Sequence, residues 1–119
     1  MVEPRLRTDI WVSALLRRCS GQATFAAVVR HGDDTSGSVL VKVNRLNGSA
    51  YVLTPARQVS GEGLWVRGTG LEDVVEADAD AYIARSITVD PDLWVIEIED
   101  REGRHFLLDR VEGEGKVGN

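Results

Sequence analysis

Residues 38–54, SVLVKVNRLNGSAYVLT, decide most of the expected fold. Valine recurs at every second position over residues 39–43, which is the two-residue period of a β-strand with one apolar face. Asn47-Gly48 follows, and this pair is a strong hairpin signal because both residues tolerate the positive φ of a tight turn. Residues 49–54 are then expected to return as the partner strand. The stretch therefore predicts an antiparallel hairpin, with strands at 38–45 and 49–54.

The rest of the chain predicts two helices and several further strands. Apolar residues at helical spacing predict helices over 9–19 and 73–87. Further strands are predicted at 25–31, 64–67, 93–99 and 104–108. This order indicates an α+β fold, in which an antiparallel sheet of four to six strands carries two helices packed on one face. The expected core residues of that face, with Trp11 from the first helix, are Val39, Val41, Val43, Trp94, Ile96 and Ile98.

Length and composition limit the classes of protein that fit. The 119 residues are 43% hydrophobic and 28% charged, which favours one globular domain, here placed at 1–112 with a flexible C-terminal tail at 113–119. No apolar run is long enough for a membrane span, and the first residues do not resemble a secretory signal. Cys19 is the single cysteine, so no internal disulfide forms, and we expect a core or boundary thiol and a cytoplasmic protein.

Charge is unevenly distributed along the chain. Residues 1–70 hold nine Lys or Arg and five Asp or Glu, whereas residues 71–119 hold five and fourteen. The formal net charge of −5 disfavours nucleic-acid binding, because such proteins usually carry a basic patch on a basic domain. The basic first part and the acidic second part of the chain fit either ion pairs within the protein or a charged surface that docks a protein partner.

A polar sheet face is the leading candidate for a partner surface. Strand alternation places a set of polar residues opposite the apolar phase, namely Arg30, Lys42, Asn44, Glu97 and Glu99. Trp65 lies in a glycine-rich stretch at 57–70 and is interpreted as an exposed anchor for a partner. We therefore favour a non-enzymatic binding or adaptor module with no catalytic, cofactor-binding or metal-binding residues. The oligomeric state does not follow from the sequence.

The alternative is a small enzyme or a ligand- or metal-binding domain around His31 and His105. Imidazole and carboxylate groups are common ligands of transition metals, and Asp33 lies close to His31 in the sequence. However, Asp33 is also a typical turn residue. Glu97, with its neighbouring carboxylates and His105, would suit acid–base chemistry, although pairing with Lys42 or Arg104 is the more ordinary interpretation. A concave pocket that joins both histidines would favour this alternative.

Three segments of the sequence resemble a known protein family. They are residues 10–18 (IWVSALLRR), 41–48 (VKVNRLNG) and 90–106 (DPDLWVIEIEDREGRHF). Together they resemble the bacterial domain of unknown function 1491 family. The resemblance implies a bacterial, cytoplasmic, single-domain protein. It implies no activity and no catalytic residue.

Overall fold

The computed structural model describes residues 6–56 and 63–114. The helices in this part of the chain are α1 (Thr8–Gly21) and α2 (Glu76–Val89). The strands are β1 (Phe25–Arg30), β2 (Val39–Asn44), β3 (Ser49–Ala56), β4 (Leu64–Arg67), β5 (Val74–Val75), β6 (Trp94–Glu99) and β7 (Arg110–Val111). Neither α1 nor α2 combines the length and the apolar character that crossing a bilayer requires.

The described strands form one mixed sheet in the order β1-β6-β2-β3-β4-β7, with β5 paired to β3. The α+β class is confirmed, but the expectation of a purely antiparallel sheet of four to six strands is wrong. β2 runs parallel to β6, and β4 runs parallel to β7, so the sheet is mixed and has seven strands. A parallel pair needs a long crossover, and here the chain passes through β3, β4, β5 and α2 between β2 and β6. Strand alternation carries no information about this direction.

The hairpin between β2 and β3 is confirmed, with Asn44 opposite Ala50 in the ladder. The turn differs in detail from the expected two-residue form. The Arg45 N–H donates to the Ser49 carbonyl at 3.0 Å, so three residues form the loop. Positive φ falls on Leu46 (60°) and Gly48 (89°) rather than on both Asn47 and Gly48. The Asn47 side chain instead accepts a hydrogen bond from the Ser49 N–H at 2.9 Å.

The two helices lie on opposite faces of the sheet, so the expectation that both pack on one face is wrong. α1 packs on the face that carries the valines of β2 and the expected apolar side of β6. Its buried core residues include Val12, Leu15, Val39, Val41, Val43, Trp94, Ile96 and Ile98. α2 covers the other face, where a second core is formed by Leu40, Ala50, Val52, Ala79, Ile83, Leu93 and Val95.

The physical reason for the second helix lies in the central strands. Every residue of β2 is buried, because β2 lies between β6 and β3 and is covered on both faces. Leu40 of β2 and Val95 of β6 are apolar, but they point to the sheet face that the sequence alternation assigned to polar residues. These side chains need cover, and the buried stripe of α2, at Ala79 and Ile83, supplies it.

Two further segments differ from the expectation, and two lie outside the described residues. Residues 104–108 do not form a strand, and β7 follows them instead. The second helix begins at Glu76, later than expected, since Val74–Val75 pair with β3. Residues 57–62 of the glycine-rich stretch and residues 115–119 of the expected tail lie outside the described residues.

Candidate binding surface at the β1 edge

β1 is the outermost strand on one side of the sheet, and its side chains are unusually apolar for that position. Its sequence is FAAVVR, with no charge or proline before Arg30. Phe25 is 62% exposed and Val29 is 61% exposed. Within the described part of the chain, the backbone of β1 makes ladder hydrogen bonds with β6 alone. The other edge of β1 therefore offers unpaired backbone N–H and C=O groups beside apolar side chains.

Carboxylates border this edge on the α2 side of the sheet. Phe25 is paired with Glu99, and Ala27 is paired with Glu97. Residues that pair directly across two strands point to the same face of the sheet. The phenyl ring of Phe25 and the side chain of Ala27 therefore lie next to two glutamates. We call Phe25–Arg30 together with these two glutamates the β1 edge.

Glu97 also belongs to a polar cluster between the sheet and the N-terminal half of α2, in which Lys42 is buried and the carboxylates are partly exposed. The Lys42 ammonium lies 2.7 Å from Glu76 Oε2, 2.7 Å from Asp80 Oδ1 and 3.6 Å from Glu97 Oε1. The Asn44 amide donates to Glu76 at 3.2 Å and to Glu97 at 3.0 Å. One ammonium thus faces three carboxylates, and the cluster keeps an excess of negative charge.

The protonation of Lys42 follows from these contacts. Burial alone would lower the pKa of Lys42, but hydrogen bonds to Asp80 and Glu76 and the charge of Glu97 outweigh it and raise the pKa. The amine therefore stays charged and is unsuited to act as a neutral nucleophile. Its role in this geometry is to hold α2 on the sheet.

The residues of the expected partner surface are only partly brought together. Lys42, Asn44 and Glu97 do meet, but Lys42 is 4% exposed and Asn44 is 9% exposed under α2. The expectation that these two residues face solvent is therefore wrong, because α2 covers the central part of that sheet face.

Arg30, Glu99 and Trp65 have separate environments. Arg30 lies at the end of β1 and donates to the carbonyls of Leu93 at 3.2 Å and Pro91 at 2.7 Å. Glu99 lies half-buried beside Phe25. Trp65 is 6% exposed, so the interpretation of an exposed anchor is wrong. Its ring stacks on half-buried Trp11 with 5.6 Å between centroids, and it belongs to the core on the α1 side.

The residues of the alternative site do not converge. The His31 ring packs on Trp94 at the start of β6, with 4.0 Å between ring centroids, whereas His105 follows the end of β6. A strand of six residues spans roughly 17–20 Å, which separates the two imidazoles. Asp33 accepts hydrogen bonds from the backbone N–H groups of Thr35 and Ser36, as a turn residue does.

The contacts of the His105 side chain indicate a structural role. Its Nδ1 accepts a hydrogen bond from the Leu107 N–H at 2.9 Å, and its Nε2 lies 3.1 Å from Glu114. The neutral ring therefore carries its proton on Nε2. Across residues 6–56 and 63–114, no group of three side chains is arranged to hold a metal ion.

Pairing with Arg104 explains Asp100, which neighbours Glu99. Asp100 binds the Arg104 guanidinium through both oxygens at 2.9 Å, and this contact lowers the pKa of Asp100. Cys19 is fully buried in the α1 core, and burial raises the pKa of its thiol. Both observations agree with structural roles.

Sequence reasoning missed that β1 is an edge strand. The available signal was the run FAAVV, which has no polar residue at alternate positions. The next element in the chain is a strand, β2, rather than a helix. Fold and surface together define a small α+β protein with a mixed sheet, a helix on each face and an open, apolar edge strand bordered by carboxylates.

The chain belongs to the family described as "Protein of unknown function (DUF1491)", whose model matches residues 6–108. The resemblance drawn from the sequence is thereby confirmed. No curated protein matches the chain.

Solved structures share both sequence and fold with this protein. A crystal structure of a DUF1491 family protein from Caulobacter crescentus CB15 is 48% identical, with a TM-score of 0.83 over 91% of this chain and 100% of that chain. An NMR structure of a DUF1491 family protein from the same organism is 46% identical, with a TM-score of 0.81 over 93% and 100%. Protein Atu0922 from A. tumefaciens is 28% identical, with a TM-score of 0.77 over 94% and 100%.

Proposed function

We propose that this protein is a non-enzymatic binding module that takes up an extended, basic segment of a partner protein along the β1 edge. The observation that carries the proposal is the open apolar strand, with Phe25 and Val29 more than half exposed. Natural proteins usually protect such edges with charges, prolines or cover, because an unprotected edge pairs with other strands. Addition of a strand to an exposed edge is a common mode of peptide recognition.

Charge complementarity selects the chemistry of the partner. Glu97 and Glu99 lie beside β1, and the Lys42 cluster adds further carboxylates that one ammonium does not neutralise. In a segment with alternating apolar and basic residues, the two kinds of side chain lie on opposite faces of the sheet. The basic side chains would lie on the α2 face with the glutamates. The apolar ones would lie on the α1 face beside Ala26 and Val28, which are paired with Ile98 and Ile96.

The alternative of a small enzyme or a ligand- or metal-binding domain has no comparable support. It requires His31 and His105 to share a pocket, and they lie at opposite ends of β6. The partner-docking proposal rests on side chains of β1 that are already exposed, Phe25 and Val29. It also retains Glu97 and Glu99 from the expected polar face.

The test uses isotope-labelled protein and two synthetic peptides of the same length as β1. One peptide alternates valine with lysine, and the other alternates valine with glutamate. We expect the lysine peptide to shift the amide signals of Phe25–Arg30, and the glutamate peptide to bind at least tenfold more weakly. Equal binding of the two peptides would contradict the charge argument, and shifts confined to other residues would contradict the site.

Two variants sharpen the experiment. Val29→Lys places a positive charge on β1, which repels the lysine side chains of the peptide, and should abolish binding of that peptide. Leu108→Lys is the matched control, because Leu108 is an 81% exposed leucine away from β1. This variant should bind the lysine peptide as the parent does. If β1 signals broaden with protein concentration in the absence of peptide, the edge pairs with a second copy and the proposed partner is wrong.

A further inference from the structure

A groove along α2 is separate from the β1 edge and has the features of a small-molecule site. One cleft, of about 380 Å³, lies between the C-terminal half of α2 and the ends of β2 and β3. A second cleft, of about 300 Å³, lies between α2 and the segment around Gly68. Tyr82 and Arg85 line both clefts, so the two are neighbouring parts of one groove. Ligand pockets in proteins span roughly 300–1,000 Å³.

The larger cleft combines an apolar surface with polar groups that have no partner in the described part of the chain. Pro55 and Val89, which are exposed, contribute apolar surface. Ser38 and Thr54 line the cleft with hydroxyl groups, and neither side chain makes a hydrogen bond with a described residue. A few polar groups on a mostly apolar wall are typical of sites that fix the orientation of a ligand.

Arg85 is the one cationic side chain that lines the two clefts, and Asp90 and Asp78 are the carboxylates that line them. Most arginines in the described residues hold a carboxylate or a backbone carbonyl, as Arg45 and Arg67 hold Asp73. Arg85 makes neither an ion pair nor a side-chain hydrogen bond within residues 6–56 and 63–114, and it is exposed. A free guanidinium beside an apolar cleft is suited to bind a carboxylate through two parallel hydrogen bonds.

The wall next to Arg85 is held in place by close packing. Tyr82 lies directly over Gly68, where a Cβ atom would overlap the tyrosine ring and hydroxyl. The Tyr82 hydroxyl makes no hydrogen bond with a described residue, so it adds a donor one helical turn from Arg85. The glycine thus lets the ring sit where both groups line the groove.

We infer that this groove binds a small organic acid, with its carboxylate on Arg85 and its apolar body against Pro55 and Val89. The guanidinium of Arg85, which has no carboxylate partner in the described residues, selects the anion. Asp90 of the larger cleft accepts a hydrogen bond from the Asp92 N–H at 3.1 Å, and Asp78 lines the smaller cleft, so we place the carboxylate on Arg85 and the apolar body in the larger cleft.

The test compares 4-phenylbutyrate with its matched amide, 4-phenylbutanamide, by titration of isotope-labelled protein. We expect the acid to shift the amide signals of Tyr82, Arg85 and Ser86 and to bind at least tenfold more tightly than the amide. Charge-assisted hydrogen bonds support a factor of this size. Equal affinities of the two compounds would overturn the inference, and so would the absence of shifts in the groove at millimolar acid.

Two arginine variants supply the control. Arg85→Gln should reduce the affinity for the acid about tenfold, to the level of the amide. Arg17→Gln should leave it unchanged, because Arg17 is an exposed helical arginine on α1 without a partner in the described residues. Unchanged binding by Arg85→Gln would overturn the assignment of Arg85. The shifts map to α2 rather than β1, so failure here is distinguishable from failure of the proposed function.

Discussion

On the α1 face of the sheet, Val12 and Leu15 pack against apolar side chains throughout, whereas on the α2 face a buried ammonium replaces part of the apolar contact. The first face gains stability from area removed from water, which depends little on pH or salt near neutrality. The second gains part of its stability from Lys42 and its carboxylates, which depend on protonation and ionic strength. The comparison predicts that the two faces respond differently to the same kinds of perturbation.

The largest effect is expected on the α1 face. Trp94 is 2% exposed, and its indole N–H donates to the Asp33 carbonyl at 2.8 Å. Trp94→Ala should lower the free energy of unfolding by about 3–5 kcal/mol, since it leaves a large cavity. Chemical denaturation measures this loss, with Trp11→Ala, a half-buried position, as the milder control. A loss below about 1 kcal/mol at Trp94 would contradict the description of the α1 core.

Tyr51 gives the α1 face a pH dependence of its own, but only at high pH. Its hydroxyl donates to the Gly103 carbonyl at 2.6 Å, and burial raises its pKa from 10.0 to about 12. Because the neutral form is favoured in the folded state, this stability is present below pH 10 and is lost as pH rises from 10 to about 12. The loss should approach about 1.4 kcal/mol per pH unit in that range.

Tyr51→Phe tests this argument. The variant should lose about 1 kcal/mol at pH 7, because the Gly103 carbonyl loses its donor. It should also be less sensitive than the parent to pH between 10 and 12. Parallel stability curves of parent and variant over that range would show that the hydroxyl is not the group that titrates.

On the α2 face the comparable change is Lys42→Met. The substitution keeps much of the side-chain volume but leaves Glu76, Asp80 and Glu97 without the ammonium they share. We expect a loss of about 2 kcal/mol, less than for a fully buried pair because the carboxylates are partly exposed to solvent. Added salt should reduce the loss, since it screens the repulsion among the three carboxylates. A loss that does not change with salt would mean that packing, not charge, carries the effect.

The hairpin is expected to show a smaller effect that is independent of either helix. Gly48 has a φ of 89° and no atom close to the position of a Cβ, so Gly48→Val adds backbone strain without a clash. The expected loss is about 1–2 kcal/mol. Gly21→Ala is the control, because that site is equally open and Gly21 lies in the helical conformation at the end of α1. Similar melting temperatures for parent and Gly48→Val would mean that the turn can relax.

The sequence predicted the α1 face better than the α2 face, and the physics explains why. The valines of β2 and the apolar side of β6 follow strict alternation, so their shared core could be read directly. Lys42 and Asn44 follow the same alternation, but a polar residue in a strand does not reveal whether a helix covers it. The apolar Leu40 and Val95 in the same phase were the available sign of a second core.

The candidate sites were less predictable than the fold. Whether β1 is an edge strand depends on sheet order, which arises from the parallel pairing of β2 and β6. The proximity of His31 and Asp33 in sequence predicted a possible site, yet Asp33 bonds to its own turn. The groove along α2 requires Tyr82 and Arg85 to lie over distant segments at Gly68 and Thr54, and no local pattern encodes that.

The smallest change in stability is expected for Asp80→Asn, and it separates folding from binding on the α2 face. Asp80 is 2.7 Å from Lys42, but its side chain is 59% exposed, and two carboxylates remain when it is neutralised. We therefore expect the free energy of unfolding to change by less than about 0.5 kcal/mol. Affinity for the valine–lysine peptide at low ionic strength should nevertheless fall several-fold, because the charge excess beside the β1 edge is reduced. Asp78→Asn, at an exposed aspartate of α2 without contact to Lys42, is the stability control. If Asp80→Asn destabilised the protein as much as Lys42→Met, its carboxylate would be the main anchor of the ammonium, and the excess charge would be structural rather than available to a partner.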